Sequence, residues 1–129
     1  MRAATIAFLS LGVLAASLAG QASAQGVTPG DCFYGRDMEE WRSPDPHTMY
    51  VSVNNDRYYR VDFRQPCSGL SYVGARLITK FNGPDSVCGP LDWDLQVADR
   101  QGSRQACIVN SMTRMTPAEV AAIPPKFRP

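Results

Sequence analysis

Four cysteines constrain the fold of this 129-residue chain more than any other feature: Cys32, Cys67, Cys88 and Cys107. They follow residues 1–24, which have the pattern of a cleavable signal peptide, because a basic Arg2 precedes an apolar run and small residues end at Ala24. An even number of cysteines in an exported chain indicates a disulfide framework, since export compartments are oxidising. We therefore predict one domain at 25–129 that is periplasmic or secreted and soluble after cleavage near Ala24.

Sequence alone leaves the disulfide pairing open, since four cysteines allow three connectivities. We favour Cys67 with Cys88, which closes a loop of about 20 residues, and Cys32 with Cys107, which ties the two ends of the domain together. Zinc is disfavoured because no two cysteines have C-x-x-C spacing and the single histidine, His47, is distant from all of them. We expect no metal and no cofactor, and disulfide formation would also remove the cysteines as nucleophiles.

Charge and hydropathy argue against two classes of partner. The chain carries 13 Lys or Arg against 12 Asp or Glu, and the two signs are interspersed. No basic run is present that would attract nucleic acid or anionic lipid. The apolar run of the signal is shorter than the about 20 residues of a spanning helix, and no other segment approaches that length. We expect neither nucleic-acid binding nor membrane insertion.

The apolar pattern predicts short strands joined by turns, because ten prolines and ten glycines punctuate it. Residues 49–53 and 57–63 alternate with period two on either side of Asn54-Asn55-Asp56, which predicts a hairpin. Tyr50 and Tyr58 fall on its outward face. Further strands are predicted at residues 32–36, 75–80, 91–97 and 104–110, with Leu91 on the apolar face of its strand.

One short helix is predicted near the C-terminus. Thr116 can cap it, Pro117 suits its first position, and Glu119 completes a capping box. Residues 126–129 are expected to form a loose tail. The predicted fold is mainly β: a small antiparallel sheet or barrel of about five to six short strands with one short C-terminal helix, stapled by disulfides.

Several segments together resemble one family of small exported bacterial proteins. They are Cys32-Phe33, the run from Asp45 to Val51, Cys67-Ser68-Gly69-Leu70, the run from Cys88 to Asp92, Cys107-Ile108-Val109, and the Thr-Pro-x-Glu start of the predicted helix at Thr116. The family is catalogued as domain of unknown function 6491. The resemblance implies export and a frame of four cysteines, and because the family has no assigned activity it implies no catalytic residues.

Two sets of residues could support catalysis. Asp92 and Asp94 lie two apart on one predicted strand face, where paired carboxylates could act as acid and base or share a cation. His47 is a candidate general base. The plainer interpretation is that both aspartates lie on a solvated face, with Asp92 also accepting N–H groups of the preceding turn, and that His47 lies in an exposed loop.

The leading functional hypothesis is binding rather than catalysis. Tyr50, Tyr58 and Arg60 combine aromatic and guanidinium groups, which are common at binding hot spots, on the outward face of the hairpin. We predict an exported, non-enzymatic domain that binds an envelope protein or a surface glycan there. The alternatives are a small hydrolase or metal-assisted enzyme using Asp92 and Asp94, and an inhibitor of an exported enzyme that presents the segment between Cys67 and Cys88.

Overall fold

Antiparallel strands dominate the part of the chain that the computed structural model describes, residues 32–81, 83 and 85–129. The predicted signal peptide at 1–24 and residues 25–31 of the predicted domain lie outside these residues. Within them the elements are β1 (Phe33–Tyr34), β2 (Met38–Asp45), β3 (Thr48–Val53), β4 (Arg57–Phe63), β5 (Arg76–Phe81), β6 (Ser86–Val87), β7 (Trp93–Ala98), β8 (Arg104–Cys107), β9 (Val109–Arg114) and α1 (Pro117–Ala122).

The strands form three antiparallel sheets, ordered β2-β3-β4-β9, β5-β7-β8 and β1-β6. The mainly β, antiparallel prediction is therefore confirmed, although the described residues form nine strands rather than the five to six expected. Part of the excess arises at Ile108, where the single strand predicted at 104–110 divides. Cys107 pairs with Leu95 in the second sheet, and Val109 pairs with Phe63 in the first, so the chain passes from one sheet to the other at this point.

The predicted hairpin is confirmed as β3 and β4, paired from Val53–Arg57 to Thr48–Asp62. Its turn places Asn54 and Asn55 at positive φ (52° and 57°), a region that asparagine tolerates better than most residues. The inward side chains are fully buried or nearly so: Met49, Val51, Val53, Tyr59, Val61 and Phe63. Period-two alternation therefore assigned the two faces of the hairpin correctly.

Both larger sheets contribute to one hydrophobic core. Phe33 of β1 contacts a ring from each of them, with its ring centroid 4.9 Å from that of Tyr59 on β4 and 5.9 Å from that of Trp93 on β7. The prediction that Leu91 shares the apolar face of Trp93 is wrong. Residues Pro90–Asp92 form a 3-10 turn rather than strand, and Leu91 is 87% exposed.

All four cysteines form disulfides, but the favoured pairing is wrong: the bonds join Cys32 to Cys88 and Cys67 to Cys107. The reason is the pairing of β1 with β6, a strand that the sequence pattern did not predict. Phe33 lies opposite Val87, which brings the preceding Cys32 against the following Cys88. Cys67 meets Cys107 because the chain after β4 runs beside the junction of β8 and β9, where the Arg64 N–H donates to the Ile108 carbonyl at 2.9 Å.

The C-terminal helix has the predicted capping box. The Glu119 N–H donates to the Thr116 hydroxyl at 3.3 Å, and the Thr116 N–H donates to the Glu119 carboxylate at 2.7 Å. The expected loose tail is wrong, because Arg128 Nη2 donates to the carbonyls of Ala121 and Ile123 at 2.9 Å each and so caps the other end of α1. None of the helices in the described residues is long and apolar enough to cross a membrane.

Candidate functional site

A row of four residues crosses the outer face of the sheet β2-β3-β4-β9. Arg42 of β2 pairs with Tyr50 of β3, Tyr50 pairs with Arg60 of β4, and Arg60 pairs with Thr113 of β9. Directly paired residues of adjacent strands present their side chains to the same face about 5 Å apart. Tyr50 therefore lies between two arginines whose side chains are each about half exposed, at 46% and 51%.

Asp62, two residues after Arg60 on the same face of β4, fixes the position of the Arg60 side chain. Arg60 Nε donates to Asp62 Oδ1 at 2.9 Å, and the hydroxyls of Thr48 and Ser111 donate to the same carboxylate at 3.3 and 3.2 Å. The hydrogen bond to Asp62 raises the pKa of Arg60 above its ordinary value, against a smaller opposing effect of burial. The guanidinium is thus held charged and oriented, while its exposed portion faces solvent.

Helix α1 lies beside this row and creates two grooves on the outer face of the sheet. The first, which we term the outer groove, has a volume of about 320 Å³ and contains Tyr50 and Arg60. The second, of about 370 Å³, contains Tyr58. The outer groove is completed by Thr113, Arg114, Met115, Glu119, Ala122, Ile123 and Pro124.

The structure therefore brings together two of the three predicted binding residues and places the third elsewhere. Tyr50 and Arg60 share the outer groove, whereas Tyr58 lies against the other side of α1, beside Pro117 and Val120. Both tyrosines are half-buried. The surface expected from the hairpin is thus partly covered by the helix and divided by it.

Sequence reasoning missed Arg42, which shares the cross-strand row but does not line the outer groove, and Asp62, which orients Arg60. Arg42 lies on β2, which was not predicted because its burial does not alternate: the register shifts between Met38 and Trp41 and again between Arg42 and Asp45. The role of Asp62 could have been found, since it lies two residues from Arg60 on the predicted outward face of one strand.

The aspartates considered for catalysis occupy different elements. Asp92 lies in the 3-10 turn, where its Oδ2 accepts the Cys88 N–H at 2.9 Å, so the turn-stabilising interpretation is confirmed. Asp94 is exposed on β7 and pairs in register with Lys80. His47 is exposed in the turn between β2 and β3. The described residues contain no group of three or more His, Cys, Asp or Glu side chains that could hold a metal ion.

The segment considered for an inhibitor begins at the Cys67–Cys107 disulfide and is not itself closed by a bond to Cys88. After the 3-10 turn Ser68–Ser71 it exposes Tyr72 and Val73, at 57% and 78%. The Gly69 N–H, at the base of this loop, donates to Gln105 Oε1 of β8 at 2.9 Å. The loop is therefore attached to the second sheet by a disulfide and a side-chain hydrogen bond.

The comparisons with known proteins give no match: no family model matches the sequence, and it matches no curated protein and no solved structure.

Proposed function

We propose that this protein is an exported, non-enzymatic binding domain whose outer groove recognises an acidic segment of a partner protein. The observation that carries the proposal is the cross-strand pair of Tyr50 and Arg60, which lie side by side in the outer groove. Guanidinium groups bind carboxylates through paired hydrogen bonds and remain charged at any physiological pH. Tyrosine and arginine are also among the residues most enriched where binding energy concentrates.

The walls of the outer groove favour a protein segment over a glycan. Met115, Ala122, Ile123 and Pro124 supply aliphatic surface directly beside Arg60. An aliphatic wall suits an apolar side chain, whereas a sugar ring would leave hydroxyl groups there without hydrogen-bond partners. A peptide that places an acidic side chain on Arg60 and an apolar one against α1 satisfies both parts of the groove.

Selection from a phage-displayed library of random peptides tests the proposal. We expect the folded domain to enrich peptides that contain an acidic residue next to a large apolar one. A selected peptide should bind Arg60→Gln at least tenfold more weakly, because the substitution removes the cation, and Arg60→Lys should retain part of the affinity. Binding should also weaken as salt is raised.

Arg76→Gln is the matched control, since Arg76 is exposed on β5 of the other sheet and loses the same charge. Its affinity for the selected peptide should equal that of the unsubstituted domain. Enrichment of peptides without acidic residues, or equal weakening by the two arginine-to-glutamine substitutions, would overturn the assignment. Thermal melts of each variant establish that the fold is retained.

Export and family membership also belong to this proposal. The signal pattern at 1–24, followed by two disulfides, supports a periplasmic or secreted location, because such bonds persist in oxidising compartments. Expression of the full chain in a bacterium with two membranes, followed by fractionation and mass spectrometry, should recover a protein that begins after Ala24. Recovery of uncleaved chain from the cytoplasm would refute export. Membership of the domain of unknown function 6491 family stays a proposal that rests on the resemblance.

A further inference from the structure

A second groove, separate in chemistry from the outer groove, follows the free edge of β2. This strand ends the order β2-β3-β4-β9, so one of its edges pairs with no strand of the described residues. Five consecutive β2 residues, 39–43, line a groove of about 510 Å³, which we term the edge groove. We propose that the edge groove binds a neutral saccharide.

Aromatic side chains provide the first argument. Trp41 is half-buried and packs against the core, so its ring is held in place by the fold. Tyr72 is 57% exposed on the facing loop, and Phe127 is half-buried in the C-terminal turn. All three line the edge groove. Aromatic rings offer broad, rigid apolar faces, and those of Trp and Tyr add a polar edge, a combination that suits the C–H faces of a sugar ring.

The charges around the edge groove balance, which argues for a neutral ligand. Glu39 and Glu40 are offset by Arg42 and Lys126. Glu40 and Arg42 approach to 3.5 Å, and Lys126 Nζ lies 4.6 Å from the centre of the Phe127 ring. An anion or a cation would meet as much repulsion as attraction here. A hydroxyl group, in contrast, can donate to a carboxylate and accept from a guanidinium, so a polyhydroxylated ligand uses both signs.

The backbone of β2 argues against the other common occupant of a strand edge, an added peptide strand. Strand addition needs a regular edge, but the register of β2 shifts twice, between Met38 and Trp41 and between Arg42 and Asp45. Pro44 removes one N–H group, and charged side chains project along the same edge. Bulges, proline and charge are the features by which proteins protect sheet edges from strand pairing.

The two sites can be tested separately, because Tyr72 and Phe127 line the edge groove and not the outer groove, whereas Arg60 lines the outer groove and not the edge groove. Tyr72→Ser removes an exposed aromatic ring without opening the core. Val73→Ser is the matched control: the neighbouring residue is 78% exposed and does not line the edge groove.

The experiment is binding to a glycan array that carries neutral and uronic-acid glycans, followed by NMR titration with cellobiose, maltose and diacetylchitobiose. We expect at least one neutral glycan to bind and to shift amide signals of residues 39–43 and 72–75. Tyr72→Ser should weaken this binding at least fivefold, with Val73→Ser unchanged and peptide binding at the outer groove retained.

Three results would overturn the saccharide assignment: no neutral glycan binds, only acidic glycans bind, or the two serine variants behave alike. Each is independent of the outer groove, because Arg60→Gln should leave glycan binding intact. Loss of peptide binding in Arg60→Gln together with normal glycan binding would support both sites.

Discussion

The two disulfides should contribute unequally to stability although they close loops of similar length. The perturbations are the paired substitutions Cys32→Ala with Cys88→Ala, and Cys67→Ala with Cys107→Ala. Sequence separations of 56 and 40 residues predict a chain-entropy contribution of about 4 kcal/mol for each bond, nearly the same for both. Any clear difference between the variants must therefore come from the environment of the sulfurs.

That environment differs. Cys67 and Cys107 are 1% and 4% exposed within the core, whereas Cys32 and Cys88 are half-buried. Removing two sulfurs from the core also loses packing contacts, which costs about 1–2 kcal/mol more than removing sulfurs near the surface. We expect the Cys67/Cys107 variant to be destabilised by about 5–6 kcal/mol and the Cys32/Cys88 variant by about 4 kcal/mol.

Urea unfolding followed by tryptophan fluorescence measures both free energies of unfolding. Equal m-values for the two variants would show that their denatured states are similarly compact, so that the difference in stability reflects the folded state. Partial reduction gives an independent readout: limiting dithiothreitol and alkylation, mapped by mass spectrometry, should label Cys32 and Cys88 first. A Cys32/Cys88 variant that is the less stable of the two, together with early labelling of Cys67 and Cys107, would refute the argument from burial.

Three further changes have definite expected outcomes. Gly35→Ala should cost about 1–3 kcal/mol of unfolding free energy in urea, because a Cβ there would overlap the Phe81 ring; an unchanged midpoint would contradict this. The pKa of Glu119 is lowered by the Thr116 backbone N–H, so amide-exchange protection of α1 should be full above pH 4.5 and decrease as pH falls through the native value, a dependence that Glu119→Gln should abolish. Asn55→Ala should cost about 1 kcal/mol by the same urea assay, since alanine disfavours φ near 57°, whereas Asn55→Gly should cost less.

Local patterns in the sequence were sufficient to predict features that depend only on residues within one hairpin or one helix end. The hairpin face followed from alternation, because Val51 and Val61 must be buried if Tyr50 and Arg60 are not. The capping box followed from Thr116 and Glu119, which interact across three residues of chain. Each of these features depends on contacts between residues that are near in sequence.

The wrong predictions concern features that depend on pairing between residues distant in sequence. The strand β6 has two residues, and it exists because β1 pairs with it, so nothing in Ser86–Val87 alone marks it as a strand. The disulfide pairing was wrong for the same reason. Only part of the cross-strand row could be predicted. Arg42 pairs with Tyr50 from a strand with two register shifts, and the sequence pattern of such a strand does not indicate its register.

The disulfide in the core also bears on the outer groove, although it lies on the other side of the sheet. Cys67 follows β4, and Cys107 ends β8 immediately before β9, so their bond holds together the chain beside the junction at which β9 pairs with β4. β4 carries Arg60 and β9 carries Thr113. The chain that leaves β9 leads directly into α1, which forms the apolar wall of the outer groove. A site already fixed in this way loses less conformational entropy when a ligand binds. In a domain of this size, the same bond can therefore serve both the stability of the core and the preorganisation of the surface.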